Sequence, residues 1–291
     1  MSSWRERLIA LSPSGFWRAA VSPSWRERII VGLAPSGVQF ARYSRGLRPR
    51  LEEYGGVGCA ESGGEPWRAG LEALARELPQ RGAAKRICQV VLSNHFLRYQ
   101  MIPWRSELTT RRERAALAQA QYRAVFGDAA QQWSVRIADA AYGAPALACA
   151  VDQALVQEIE RLFRQSGAGP VSIEPYPVAV INLWRRELTA ASFWLVLLEP
   201  GHLWLGRAEH GNWVGVATRR LAGDAPAEIL ASLAQEAAVI GGEVNGTTTY
   251  CVACGLDRNQ AHALREAGMN VLSWDPFGAL SLAGGAALDR D

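Results

Sequence analysis

Cysteine, histidine and lysine are the side chains whose spacing could carry chemistry in this sequence, and each is sparse enough to limit that chemistry. Cys251 and Cys254 form a single CxxC. A structural zinc site needs four ligands, and neither a second CxxC nor an HxxxH accompanies the pair. A redox-active CxxC usually opens a helix, whereas this one closes an apolar run and reads as a pair of buried strand cysteines. With Cys59, Cys88 and Cys149 the total is five. An odd, scattered set without an export signal points to a reducing compartment. The four histidines, 95, 202, 210 and 262, are dispersed and read as surface or turn residues. Lys85 is the sole lysine. No GK[ST] phosphate loop therefore exists, and Schiff-base chemistry would rest on Lys85 alone.

The elements that position these residues must come from a sizeable core. Of 291 residues, 49% are hydrophobic and 20% charged, which excludes a globally disordered chain. A net charge of +3 is too small to argue for a nucleic-acid partner. The best apolar run, residues 193–198, falls far short of the ~20 residues of a spanning helix, and no h-region of a secretory signal opens the chain.

The N-terminus contains a short near-duplication. Ser3-Trp4-Arg5-Glu6-Arg7 recurs as Ser24-Trp25-Arg26-Glu27-Arg28. Residues 1–23 read as an extension ahead of the folded unit. Trp4, Leu8, Phe16 and Trp17 beside Arg5, Arg7 and Arg18 suit an anionic membrane surface, with a flexible tail or misassigned start as the other reading.

From residue 24 the pattern alternates. Strands are expected at 29–33, 38–43 and near 51–54, then a helix at 65–78 with Trp67, Leu71, Leu74 and Leu78 at helical spacing, and strands at 87–92 and 96–102. Thr110 and Glu113 make a capping box for a helix reaching Phe126. Strands at 133–137 and 146–151 follow, then a helix capped by Asp152, a strand at 171–174 and a helix at 178–188. The second half repeats the order: strands at 193–198, 203–207 and 213–219, a helix opened near Asp224, a strand at 248–253, a helix capped by Asp257 and Gln260, and a strand at 270–273. Each half is three meandering strands, helix, strand, helix, strand, which gives an α/β fold.

This duplicated order resembles the actin, heat-shock chaperone and sugar-kinase superfamily. The local run Leu147-Ala148-Cys149-Ala150-Val151-Asp152, the helix after it and Val171-Ser172-Ile173-Glu174-Pro175-Tyr176-Pro177 resemble PilM proteins of type IV pilus assembly and the cytoplasmic domain of type II secretion GspL proteins. The resemblance covers about residues 24–275. It implies an actin-like α/β fold of two ribonuclease-H-like lobes: a first lobe at 24–188 with an inserted subdomain at about 104–150, and a second at 189–291.

It also implies where a nucleotide would sit. The first phosphate loop falls on the turn holding Ser36 and Gly37, the second on Glu199-Pro200-Gly201, the connecting motif on Glu174-Pro175, and the adenosine loop on Gly255. The first turn lacks the family's metal-holding carboxylate, and Pro200 removes a backbone donor from the second. The residue-level alternatives are a helix-capping role for Glu174, a plain turn acid at Glu199 and ordinary turn glycines at Gly201 and Gly255. The cleft therefore reads as degenerate, with no catalytic residue, no metal site, no resident cofactor and at most weak ATP binding.

By the same resemblance the chain would be a cytoplasmic scaffold, peripheral to the inner membrane. It would hold the cytoplasmic tail of a bitopic membrane protein and couple to a secretion or pilus motor ATPase, with self-association left open. An active ATPase or small-molecule kinase of the same fold is the alternative.

Overall fold

The computed structural model describes residues 26–272, apart from 48–49, 60–63, 109, 170, 223–225, 242–243, 245 and 254–256. The N-terminal extension, the helix opener Asp224 and the adenosine-loop Gly255 lie outside the described residues.

In chain order the elements are β1 (Arg28–Ala34), β2 (Gly37–Tyr43), β3 (Leu51–Gly58), α1 (Arg68–Glu77), β4 (Ile87–Leu92) and, after a 3-10 turn at Asn94–Phe96, β5 (Leu97–Ile102). They continue with α2 (Arg111–Phe126), β6 (Trp133–Ile137), β7 (Ala146–Asp152), α3 (Gln153–Gln165), β8 (Val171–Pro175) and α4 (Tyr176–Trp184). The second half holds β9 (Phe193–Glu199), β10 (His202–Glu209), β11 (Asn212–Arg220), α5 (Pro226–Ile240), β12 (Thr248–Ala253), α6 (Arg258–Glu266) and β13 (Asn270–Leu272).

Two five-stranded sheets share one topology. The first runs β3-β2-β1-β4-β8 and the second β11-β10-β9-β12-β13. In each, an antiparallel meander is extended by two parallel strands. The expected repetition of the strand–helix order is thus present in the sheets themselves. A third, antiparallel sheet, β5-β7-β6, is hydrogen-bonded to neither and packs its β5 and β7 against β11.

The central strand β9 explains the longest apolar run. All seven of its residues are buried. Trp194, Val196 and Leu198 face a core with α5 and α6, while Phe193, Leu195 and Leu197 face the core that contains α4. A strand covered on both faces reads as a continuous apolar stretch. Burying each of these large side chains contributes about 1.5–3 kcal/mol. Helix α3 lays Leu155, Ile159 and Phe163 on the first sheet together with Leu74 and Leu78. The Tyr122 hydroxyl fastens α2 to the third sheet by donating to the Arg98 and Ala148 carbonyls at 2.8 and 3.1 Å.

Local signals in the sequence are reproduced closely. Both capping boxes form, Thr110 with Glu113 and Asp257 with Gln260, and Asp152 accepts from the Ala154 amide. Several boundaries differ, among them the end of α4 at Trp184, short of residue 188. Strand β3 runs on to Gly58 because it pairs along the whole of β2, and α4 starts at Tyr176, where Pro177 is tolerated in the first turn.

Candidate functional site

The two expected phosphate turns occupy equivalent corners of the two large sheets, and both are minimal hairpins. Ala34 pairs with Gly37, leaving Pro35 and Ser36 as the turn. Glu199 pairs with His202, leaving Pro200 and Gly201. Gly201, at φ 68°, takes the left-handed conformation that the second position of a Pro-Gly turn requires. Cradling a phosphate takes several backbone N–H groups on a loop that can wrap it. Each of these turns has two residues, and one of the two is proline. Ser36 is exposed, and its carbonyl already accepts the Cys59 amide at 2.8 Å.

Glu199 is not a plain turn acid. It is 1% exposed, and its carboxylate reaches across to the segment that leaves β4. There it accepts the Asn94 amide at 2.8 Å and the Ser93 hydroxyl. Asn94 and Ser93 open the 3-10 turn, so Glu199 supplies the acceptors at its start. Ser93 in turn donates its amide to the Leu33 carbonyl at 2.9 Å, which ties this contact to the end of β1 beside the Ser36 turn. The Asn94 side chain accepts from the Tyr99 hydroxyl at 2.7 Å.

Beside this contact, His95 and His202 meet with ring centroids 4.9 Å apart. His95 Nε2 donates to the Pro200 carbonyl at 3.1 Å, and His202 Nδ1 is buried without a hydrogen-bond partner. Burial, the neighbouring His95 ring and the Arg98 and Arg220 guanidiniums push His202 down to about 4. The dispersed-surface reading holds for His210 and His262, which are exposed. His95, in the 3-10 turn, and His202, the first residue of β10 after the Pro200-Gly201 turn, are turn-side residues but half-buried, because the 3-10 turn packs on β10 and brings together residues far apart in sequence.

Glu174 sits on β8, away from that contact. It accepts from Gln89 Nε2 at 2.9 Å. Burial raises its pKa, and donors on Ser172, Gln89 and Asn182 partly offset this. It does not cap the following helix, since Pro175 is the N-cap residue of α4 and no side chain bonds there. Cys251 lies in β12 and is fully buried, with its thiol pushed up to about 12 by burial. Its CxxC partner Cys254 lies outside the described residues. Among the described residues no three His, Cys, Asp or Glu side chains gather as a metal site, and no helix is long and apolar enough to cross a membrane.

A second feature is a groove that sequence periodicity could not reveal. Strand β8 ends the first sheet and β6 ends the third. Ser134 and Arg136 of β6, with Val171, Ser172 and Ile173 of β8, line a mainly apolar pocket of about 50 Å³ floored by Leu97 and Val151. Through Ser134, Arg136 and Val156 this pocket opens into a trough of about 610 Å³. The trough runs along β6 to Asp139, between the start of α2 and the Gln153–Gln157 face of α3. The pocket lies between two sheet edges and the trough follows one of them, so only the topology discloses the groove.

No protein-family profile matches the sequence, and no curated protein matches it significantly. Solved structures do resemble it. A chain of a PilM–PilN type IV pilus biogenesis complex superposes with a TM-score of 0.62 at 17% identity, over 89% of this chain and 90% of that one. A Bacteroides thetaiotaomicron protein described as having an actin-like ATPase fold and unknown function gives 0.60 at 10% identity, over 89% and 95%. The cytoplasmic domain of EpsL, an inner-membrane component of the Vibrio cholerae type II secretion system, gives 0.52 at 14% identity, over 78% and 81%. The duplicated sheets, the paired hairpin turns and these likenesses agree that the chain has the actin-like ATPase fold.

Proposed function

We propose that the chain is a scaffold of an inner-membrane assembly platform of the type IV pilus or type II secretion kind. It holds the short cytoplasmic tail of a bitopic membrane protein in the trough along β6, with the pocket between β6 and β8 at its side. The groove carries this reading: the free edge of β6 borders a trough, and at its side an apolar pocket lies between that edge and β8, the last strand of the first sheet. An extended segment can pair its backbone with such an edge while alternate side chains enter the pocket. Likeness to a chain solved as a PilM–PilN complex and to the EpsL cytoplasmic domain supports the same class of role. On this reading the protein works in the cytoplasm, reaches the membrane through its partner and links that partner to a motor ATPase. The cleft is a structural joint that binds nucleotide weakly at most, because its turns offer few amides and Glu199 is already engaged.

The test is a photoreactive residue placed at Ser134, on the β6 edge, in cells. Irradiation is expected to link the chain to a membrane protein through its cytoplasmic tail, and a synthetic copy of that tail should compete. Links to soluble proteins alone, with none to a membrane protein, would overturn the proposal. The alternative, an active ATPase or small-molecule kinase, is favoured instead if purified protein turns over ATP.

A further inference from the structure

The trough is electrically uneven. Helix α2 opens with Arg111, Arg112 and Arg114, and all three line it. Cations are disfavoured in the first turn of a helix, where the backbone dipole is positive. The one acid of that turn, Glu113, accepts the Thr110 amide in the capping box at 2.9 Å. Arg114 is half-buried, and its Nε has no hydrogen-bond partner. Asp139 is the acid that lines this part of the trough. At the other end, along α3, Glu160 borders the apolar pocket.

We infer that the groove selects an extended segment bearing an acidic residue to one side of an aliphatic one. The aliphatic side chain fills the pocket between β7, β8 and α3, and the carboxylate lies over the arginines that open α2. This rests on the reading of the groove as an extended-segment site. From Gln153 to Glu160, α3 advances about 10 Å at 1.5 Å per residue, which an extended chain covers in roughly three residues. The acid should therefore stand roughly three residues from the aliphatic anchor. The occupant is a peptide and not a lipid surface: the arginines line a concave trough joined to an apolar pocket of side-chain size.

A random-peptide display library panned on the full chain tests this, with affinities of selected synthetic peptides measured afterwards. Two variants serve as probes. Ser134→Trp fills the trough. R111E/R112E alters two exposed side chains, and unchanged thermal melting would show that it still folds. The expected consensus has an aliphatic anchor with an acid at that spacing. Binding should be lost in Ser134→Trp, weaken about tenfold in R111E/R112E and fall with added salt. Peptides that bind in the trough with no acid, unmoved by R111E/R112E, would overturn the inference and leave the groove reading intact. Finding no peptide whose binding depends on Ser134 would overturn the groove reading as well. Vesicles of anionic phosphatidylglycerol that bind the chain through Arg111 and Arg112, while peptide affinity ignores both, would assign the charge to a membrane surface and overturn the inference.

Discussion

The carboxylate of Glu199, at the end of a strand in the second sheet, accepts the backbone N–H of Asn94, on the segment leaving the first sheet, at 2.8 Å. A carboxylate 1% exposed is stable only if its lone pairs are satisfied. Here the Ser93 hydroxyl and the Asn94 amide supply that, and the two sheets are joined by the bonds. Glu199→Ala leaves both donors buried and unpaired, so it should cost about 3 kcal/mol in urea unfolding, and Glu199→Gln about half as much. A loss below about 0.5 kcal/mol, the size expected of an exposed surface change, would show that Glu199 is solvent-facing in solution.

Much of the fold is legible locally because its signals are local. Thr110 with Glu113 and Asp257 with Gln260 mark helix starts by hydrogen bonds that span three residues. The run from Phe193 to Leu198 shows its two-sided burial directly in its composition. The site is less legible because it depends on partners far apart in the chain. Glu199 bonds residues about a hundred positions earlier. Ser93, Asn94 and His95 carry no pattern that marks them as its partners. The groove is a property of which strands end their sheets, and neither β6 nor β8 announces itself as an edge. The one available hint was the set of arginines at 111, 112 and 114, which is unusual at the start of a helix.

Hydrolysis of ATP should be absent. Two-residue turns containing Pro35 and Pro200 leave few amides for phosphate oxygens, and the first turn has no carboxylate to hold a metal. Phosphate release by purified protein with magnesium and ATP should match the protein-free control. A turnover of about 1 s⁻¹, within the ordinary enzymatic range, that disappears in Glu199→Gln would establish an ATPase and sink the degenerate-cleft reading.

Stability should fall on mild acidification, through the histidine pair. His202 is lowered from 6.5 to about 4, chiefly by burial, then by His95, Arg98 and Arg220. His95 is lowered as well, again mainly by burial. Above pH 6.5 the ring is neutral in both folded and unfolded chains, and as the pH drops toward about 4 only the unfolded chain takes up the proton. The contribution is therefore complete above pH 6.5 and is lost as the pH falls through the folded value of about 4. His202→Leu should flatten the profile by about 1 kcal/mol between pH 7 and 5, after allowance for partial exposure. Parallel profiles for the two proteins in urea titrations would show that His202 is not desolvated.

Helix α2 should prove stabilisable at the positions where the groove needs charge. Thr110→Ala removes a cap whose hydroxyl accepts the Glu113 amide at 3.2 Å, and it should cost about 1 kcal/mol. Arg111→Glu places an anion at the exposed first position of the same helix, where the dipole favours it, and should raise stability by about 0.3–1 kcal/mol at low salt. A sequence that keeps arginine at such a position forgoes that stability, which is expected of residues retained for binding. Thermal melts of the two single variants decide the matter. Stabilisation by Arg111→Glu that fades with added salt fits a guanidinium held for a partner. Destabilisation would mean that Arg111 makes an internal contact in solution, and the arginines would then be part of the fold and not of a recognition surface.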